Sequence, residues 1–285
     1  QILWDGKLII SVVTAFFAIS SVFYALSLEN QYKSSAILTS TDGQNMNSLG
    51  QYSGLASMAG ISLPSSENKV DEVMEIIESR EFVRHLVTFE NILPSITAAH
   101  SYNINSGVLY YDPEIYDSNS RKWIRETSGT RPQKPSYLEA HRAYKEILSI
   151  SKDKLTGFVS ISIEHISPVF AKDFLALIIK EANKVKRKKD IETSTKALTY
   201  LQNKLSQTQS IETKQSISNL INAQLETLML ANVNDEYSLS ILEPPFVPEF
   251  KSKPSRAMIC ILSTLVGGIL SIILVLLRYF FYKAD

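Results

Sequence analysis

The chain has 285 residues, a formal net charge of zero and 45% hydrophobic residues, a length that fits one or two domains. A balanced charge disfavours a nucleic-acid-binding protein, since such proteins normally carry a basic excess, and we expect no nucleic acid as a partner. The single cysteine, Cys260, excludes a disulfide within these residues. The sequence begins with Gln1 rather than Met, and we expect further residues to precede it.

Two long apolar segments indicate the class of the protein. Residues 8–28 and 257–277 each contain 21 residues without a charge, and helices of this length span about 31 Å, against a hydrocarbon core of about 30 Å. Trp4 and the stretch 278–283 are typical interfacial anchors. A cleaved signal peptide is the alternative for the first segment, but its apolar core would be shorter and a small-residue cleavage site would follow. We predict two transmembrane helices, whose orientation the flanking cations leave open.

These helices define the predicted domains. They are an N-terminal remnant (1–7), a transmembrane helix (8–28), one large domain (29–256), a second transmembrane helix (257–279) and a short tail (280–285). The large domain divides into an α/β base, over about 29–167 and 235–250, and a helical arm over about 168–232.

The first part of the large domain is predicted to contain a strand, a long polar segment and a helix. Residues 31–39 are predicted to form a strand that leaves the membrane. Residues 40–68 are rich in Gly, Ser and Asn and contain an apolar island, 54–63. They form either a flexible loop with a packed patch or a surface that touches the membrane or a neighbouring subunit. Apolar residues at helical spacing predict an amphipathic helix over 69–79.

Helix caps and turn residues organise the next stretch. Ser79 is predicted to cap a short second helix. Residues 94–135 contain four prolines and two glycines and are predicted to be irregular. The capping-box pattern that starts at Ser136 predicts a helix ending near Glu146.

Alternating apolar residues then predict three strands. Residues 147–151 and 157–165 flank a polar turn and form a hairpin, and residues 236–243 alternate in the same way.

The largest predicted feature is a long helical hairpin. Ser167 and Pro168 are a helix start, and no further Pro or Gly occurs before Pro244. Residues 169–179 are apolar and are expected to lie against the sheet. Residues 184–196 are polar, as in a helix that projects into solvent. The reversal is placed near 207–213, and five apolar residues are expected to face inward on the returning helix: Ile217, Leu220, Ile221, Leu225 and Leu228.

The sequence carries no pattern of a catalytic, cofactor-binding or metal site. The four histidines have neither metal-ligand spacing nor a paired cysteine, so we predict that the protein is not an enzyme and binds no cofactor. The basic run Lys186, Arg187, Lys188 and Lys189 is a candidate contact for an anionic polymer or lipid, and its alternative is a solvated helix face.

Candidate packing and coupling residues lie at the second membrane helix. Ser263, Gly267 and Ser271 are small and four residues apart, which allows close approach of another helix, either the chain's own first helix or that of a neighbour. The domain is unfavourable in surface-to-volume terms as a monomer, so we expect oligomers.

A proline-rich segment leads into that helix. Proline fixes φ and cannot donate to a sheet ladder, so this segment is predicted to be a stiff coupling between the domain and the membrane helix, with Pro254 in the first helical turn. Its prolines are Pro244, Pro245, Pro248 and Pro254. Its cations, which are candidate lipid-phosphate contacts, are Lys251, Lys253 and Arg256.

Several stretches in this order resemble one family, the Wzz-type O-antigen chain-length regulators, which are polysaccharide co-polymerases. They are LWDGKLII, IIESREFVRHL, ILSISKDKLTGFVSISIEHISPVFA, LMLANVNDEYSLSILEPPFVPE and KSKPSRAMI. The proline-rich entry to the last helix is the most specific of them, whereas residues 94–135 carry no part of the resemblance.

The resemblance implies an α+β fold in which two transmembrane helices flank a periplasmic domain with a small mixed β-sheet base and a long helical hairpin arm. It implies a two-pass protein of the bacterial inner membrane, with cytoplasmic termini. It also implies a homo-oligomeric ring beside the O-antigen polymerase, which sets the length of undecaprenyl-linked polysaccharide without catalysis.

Two alternative functions remain. An adaptor for capsule or exopolysaccharide export would share the architecture. A two-span periplasmic sensor would need a signalling module after the second helix, where this sequence has only residues 278–285.

Overall fold

A computed structural model describes residues 7–41, 66–127, 129, 132–233 and 236–282. The predicted island at 54–63, the anchor Trp4 and the last residues of the tail lie outside these ranges.

Eight helices occur in the described residues. They are α1 (Lys7–Ser27), α2 (Ser66–Glu78), α3 (Arg80–Leu86), α4 (Ile92–Thr97), α5 (Tyr137–Ile147), α6 (Pro168–Gln207), α7 (Ile211–Val233) and α8 (Arg256–Tyr282). Nine strands accompany them within the same ranges. They are β1 (Gln31–Ser40), β2 (Ala99–Asn103), β3 (Val108–Tyr111), β4 (Tyr116–Asp117), β5 (Lys122–Trp123), β6 (Leu148–Lys152), β7 (Val159–His165), β8 (Leu239–Glu243) and β9 (Lys251–Lys253).

The chain divides into two compact units. The smaller unit combines Gln1–Tyr32 with Glu249–Asp285, and the larger unit is Lys33–Pro248. In the smaller unit α1 and α8 pack against each other. Both helices are long and apolar enough to cross a membrane, and few of their residues are buried within the protein.

The larger unit is built on a sheet with the strand order β6-β7-β1-β8. β6 and β7 form an antiparallel hairpin that runs from the pair Leu148–Ile163 to the pair Lys152–Val159. β8 is antiparallel to β1. These strands are those predicted from the alternating apolar residues.

The core lies between this sheet and the first part of α6. Val159, Ile161 and Ile163 of β7 are fully buried, as their alternation with polar residues requires. Phe174 and Ile178 of α6 are buried with them. α6 begins as predicted, since the Ser167 hydroxyl accepts a hydrogen bond from the Phe170 amide at 3.2 Å and Pro168 occupies the first turn.

α6 and α7 form the predicted helical hairpin, with the reversal between Gln207 and Ile211. Ile217 is buried on the inner side of α7. Leu225 was predicted to face inward, but 43% of it is exposed. The inward side of α7 includes Ala231, which is fully buried and whose small side chain gave no apolar signal.

The interpretation of residues 94–135 as irregular is wrong in part. This region holds most of α4 and two short antiparallel pairs, β2 with β3 and β4 with β5. Tyr116 and Trp123 face each other across the second pair, with ring centroids 4.8 Å apart. Gly107 and Pro113 mark turns, whereas Pro94 lies within the first turn of α4, and these strands are too short to show an apolar period.

The fold class is as predicted, a combination of helices and a small sheet with a long helical hairpin and two terminal helices that are long and apolar enough to cross a membrane.

Candidate functional site

The small residues of α8 lie against α1 of the same chain. The Ser263 hydroxyl donates to the Phe17 carbonyl at 3.4 Å. A Cβ atom added to Gly267 would lie 2.6 Å from the Phe17 Cβ, and Ser271 is fully buried. Of the two predicted packing partners, the first helix of the chain therefore occupies this face.

α1 contributes small residues of its own to this contact, which the sequence analysis did not single out. Ser21 and Ala25 are its only residues that are buried within the described part of the helix. Their spacing of four is the same signal that identified Gly267, and it would have identified this face as well.

The predicted coupling prolines divide between the two units. Pro244 and Pro245 follow β8 directly, and Pro248 is buried as the last residue of the larger unit. In that unit the Ser34 hydroxyl donates to the Phe246 carbonyl at 2.7 Å, which fixes the extended segment to β1. Pro254 lies before α8 and not in its first turn as predicted, because that helix begins at Arg256.

The cations of the segment lie in the smaller unit, beside the start of β1. β9 pairs antiparallel with Gln31 and Tyr32, which leaves the side chains of Lys251 and Lys253 exposed. Arg256 donates from Nη2 to the Asn30 Oδ1 at 3.2 Å. The chain is thus tied to itself at the residues that flank the two membrane helices. β9 could not be predicted, because its partner strand lies more than two hundred residues away.

The basic run at 186–189 is only partly a solvated face. Lys186 is 3% exposed, and its ammonium group donates to Glu72 at 2.8 Å and to Asp190 at 2.7 Å. Lys189 donates to the same carboxylate of Glu72, and the Tyr237 hydroxyl donates to Asp190 at 2.9 Å. We call Glu72, Lys186, Lys189, Asp190 and Tyr237 the buried ion network.

The charges of the buried ion network support one another. Burial would lower the pKa of Lys186, but the carboxylates of Asp190 and Glu72 outweigh it and hold this pKa above its usual value. Burial would raise the pKa of Glu72, but the two lysine side chains outweigh it and hold this pKa below its usual value. Lys186 and Glu72 are therefore held in their charged forms, and their ion pair joins α2 to α6.

Lys188 and Lys189 border a groove of about 450 Å³ between α3 and α6. Lys188 is 79% exposed in its side chain and lies 4.0 Å from Glu192, a weak contact. At the α3 side of the groove, the His85 Nε2 lies 2.6 Å from a carboxylate oxygen of Glu181. The groove combines an apolar floor with charged walls, and its floor residues are Ile76, Phe82 and Val185. Arg187 has interactions of its own within the protein.

The buried histidine has a structural role. His165 donates from Nε2 to the Ser95 carbonyl at 2.9 Å and accepts at Nδ1 from the Ser167 amide at 3.1 Å, so its neutral form is required. Burial lowers the pKa of His165 to about 4. Among the described residues no group of three or more His, Cys, Asp or Glu side chains could hold a metal ion.

Comparison with known proteins identifies one family over the N-terminal part. Residues 1–88 match the family described as Wzz, chain length determinant protein. This match agrees with the resemblance for the two stretches that lie within these residues, LWDGKLII and IIESREFVRHL. No curated protein matches the chain.

The solved structures that are similar to this chain include two polysaccharide co-polymerases. A full-length bacterial polysaccharide co-polymerase is 16% identical and aligns over 100% of this chain and 97% of its own, with a TM-score of 0.40. A fragment of WzzB, a polysaccharide co-polymerase from Salmonella Typhimurium, is 15% identical and aligns over 79% of this chain and 100% of its own, with a TM-score of 0.33.

Proposed function

We propose that this protein is a non-catalytic regulator of lipopolysaccharide O-antigen chain length. The match of residues 1–88 to the chain length determinant family carries this proposal, because members of such a family regulate a polymer rather than form its bonds. The two terminal membrane helices support it.

The working form in this proposal is a homo-oligomeric ring in the bacterial inner membrane. Both termini are cytoplasmic and the larger unit is periplasmic. The ring acts beside the O-antigen polymerase on undecaprenyl-linked polysaccharide. The buried ion network and the neutral His165 serve to hold the larger unit in one shape, which is what a protein that acts through assembly requires.

Deletion of the gene and complementation test the function directly. We expect the deletion strain to lose the modal band of the lipopolysaccharide ladder on a gel, and the intact gene to restore it. An unchanged ladder together with a loss of surface capsule would contradict the proposal and favour the export adaptor.

We propose the groove between α3 and α6 as the place where the polymer touches the larger unit. Lys188 offers an exposed ammonium group beside an apolar floor, a combination that suits the hydroxyl or acidic groups and the apolar faces of sugars. Lys188→Glu is expected to change the ladder, whereas Lys196→Glu, at an exposed position of the same helix, is the matched control. Equal ladders for both variants would reject this contact.

We also propose that the cations beside α8 contact lipid phosphates. Lys251 and Lys253 are exposed within the unit that holds both membrane helices, and cations near a membrane surface are attracted to anionic lipid headgroups. Replacement of both lysines by glutamine should lower the dependence of thermal stability on the anionic lipid content of nanodiscs. The same dependence before and after replacement would reject it.

A further inference from the structure

The main sheet of the larger unit has an open edge at β8. This strand pairs with β1 and is the last strand in the order β6-β7-β1-β8. Two of its apolar side chains are exposed, Ile241 by 37% and Leu242 by 57%. An exposed apolar edge strand offers its unpaired backbone groups to a strand of another chain. How this protein treats the edge of β8 therefore decides whether copies can join through their sheets.

Asn183 of α6 occupies the first part of this edge. It is 5% exposed, and its Oδ1 atom accepts hydrogen bonds from the amides of Ser238, at 3.0 Å, and Leu239, at 2.9 Å. Its Nδ2 atom donates to the Leu239 carbonyl at 2.9 Å. One buried side chain thus binds both backbone groups of Leu239, as a residue of a neighbouring strand would bind them.

Glu236 occupies the next position along the edge. The backbone groups of alternate residues in a strand point to the same side, so the Ile241 amide lies on the same open side as that of Leu239. This amide donates to the Glu236 carboxylate at 3.2 Å. The Ser240 hydroxyl donates to the same carboxylate oxygen at 2.6 Å, which holds the carboxylate in place. The amides of Leu239 and Ile241 are therefore both bound by side chains of their own chain.

Two further features make the same edge unsuitable for pairing. The register of the β1–β8 pair shifts between Ile37 and Leu38, and an irregularity of this kind bends an edge away from flat pairing. Pro244 and Pro245 follow β8 directly, and proline has no amide to donate. The two side-chain caps, the irregular register and the prolines all oppose the addition of a strand.

We propose that Asn183 and Glu236 cap the open edge of β8 and prevent its pairing with a strand of a second copy. Copies of the protein then contact one another through other surfaces. Glu236 is the cap that can be removed without opening the core, because it is exposed whereas Asn183 is buried. The caps act on strand pairing and not on polymer length, so their failure would leave the proposed function intact.

Disulfide crosslinking of the full-length protein in isolated membranes tests this proposal. In a Cys260→Ser background, Leu242→Cys places a single thiol on β8, and oxidation joins copies whose β8 edges meet. We expect little crosslinked dimer while Glu236 is present. Glu236→Ala frees the Ile241 amide, and one hydrogen bond gained between two edges should increase the crosslinked dimer by about fivefold. Glu236→Gln, which keeps an acceptor oxygen, should leave the dimer at its low level.

Two controls separate strand pairing from other causes of association. Glu90→Ala removes a carboxylate that pairs with Arg121 and not with a strand edge, and it should not increase the dimer. Ile241→Pro, added to Glu236→Ala, removes the freed amide, and proline is compatible with an edge position whose amide points away from the sheet. This second change should return the dimer to its low level.

Three results would overturn the proposal. The first is an equal amount of dimer with Glu236 and with Glu236→Ala. The second is abundant dimer while Glu236 is present, which would make β8 a contact between copies. The third is a dimer that increases equally in Glu90→Ala or persists after Ile241→Pro, which would show that strand pairing does not cause it.

Discussion

Lys186 shows how one residue in a charged run can differ from its neighbours. Four consecutive cations on a helix point in directions about 100° apart, so one of them can face inward while another is fully solvated. Lys186 is the inward one because Glu72, on α2, lies in reach of its ammonium group. A run of like charges indicates a solvated face in a sequence, since Asp190, four residues after Lys186, is equally compatible with an exposed pair, and Glu72 lies more than a hundred residues earlier.

Removal of Lys186 should destabilise the larger unit more than removal of its exposed neighbour. Lys186→Met leaves Asp190 partly buried without its cation and leaves Glu72 with Lys189 alone, and we expect a loss of about 2–4 kcal/mol. Lys188→Met should change the stability by less than about 0.5 kcal/mol. Thermal unfolding of the detergent-solubilised protein, followed by circular dichroism, measures both, and similar losses for the two variants would contradict a structural role for Lys186.

The low pKa of the buried His165 predicts that the stability of the folded protein decreases at acidic pH. Its pKa is about 4 in the folded protein, against about 6.5 in an unfolded chain. Between these values the unfolded chain binds a proton that the folded protein does not, so stability falls as the pH falls from about 6.5 to about 4. The full effect is about 3 kcal/mol.

Unfolding by urea at pH 7 and pH 5 tests this dependence. His165→Gln, which keeps a donor and an acceptor but does not titrate, should show a smaller loss between the two pH values than the unchanged protein. His100→Gln, at an exposed position, is the control and should retain the loss. The same loss in all three proteins would show that other groups cause it.

At the scale of elements, local signals predicted structure well and distant pairing did not. Ser136 caps α5 with the reciprocal hydrogen bonds of a capping box, as its sequence pattern indicates. The β6–β7 hairpin follows from alternation over adjacent residues. β9 was missed because three polar residues become a strand only through their pairing with β1, and Pro248 was predicted as a stiff link without any sign that it is buried. The same distinction holds for the candidate site. The face of small residues on α8 could be predicted from their spacing of four. The groove beside Lys188 could not, because it is formed by residues that are distant in the sequence.

The packing of α1 against α8 predicts an asymmetry between two adjacent glycines. Gly267→Leu would place side-chain atoms within contact distance of Phe17 and force the helices apart, whereas a Cβ atom added to Gly268 would meet no neighbouring side chain within 4 Å. We expect Gly267→Leu to destabilise the helix pair by about 1–3 kcal/mol and Gly268→Leu to change it by less than about 0.5 kcal/mol. Detergent titration of the folded protein provides the measurement, and equal midpoints would refute the close contact.

The proline segment predicts an effect on function without loss of the protein. Pro248→Ala combined with Pro254→Ala removes two fixed φ angles at the junction of the two units, and we expect a shifted distribution of O-antigen lengths with insertion and oligomer size retained. Pro244→Ala, at an exposed position, is the control. A lipopolysaccharide ladder identical to that of the unchanged protein would reject the coupling role.

At the scale of the whole molecule, two mechanisms of length control make different demands on the helical hairpin. In the first, the ring gathers and orients polymerase molecules, so polymer length depends on assembly. In the second, the polymer is measured along α6 and α7. The buried ion network joins α6 to α2 near the base of the hairpin, which supports a hairpin held rigidly by the sheet-containing part and is compatible with both.

A paired deletion in the hairpin separates these mechanisms. Removal of residues 200–206 from α6 and 212–218 from α7 takes out seven residues from each helix, about 10 Å of length, and a heptad leaves the facing sides nearly in register. Because the proposed function acts through assembly, we expect the modal O-antigen length to stay the same while the oligomer remains intact. Crosslinking in membranes verifies the oligomer, and the ladder gives the length. A ladder that shortens while the oligomer persists would contradict this expectation and support measurement along the hairpin.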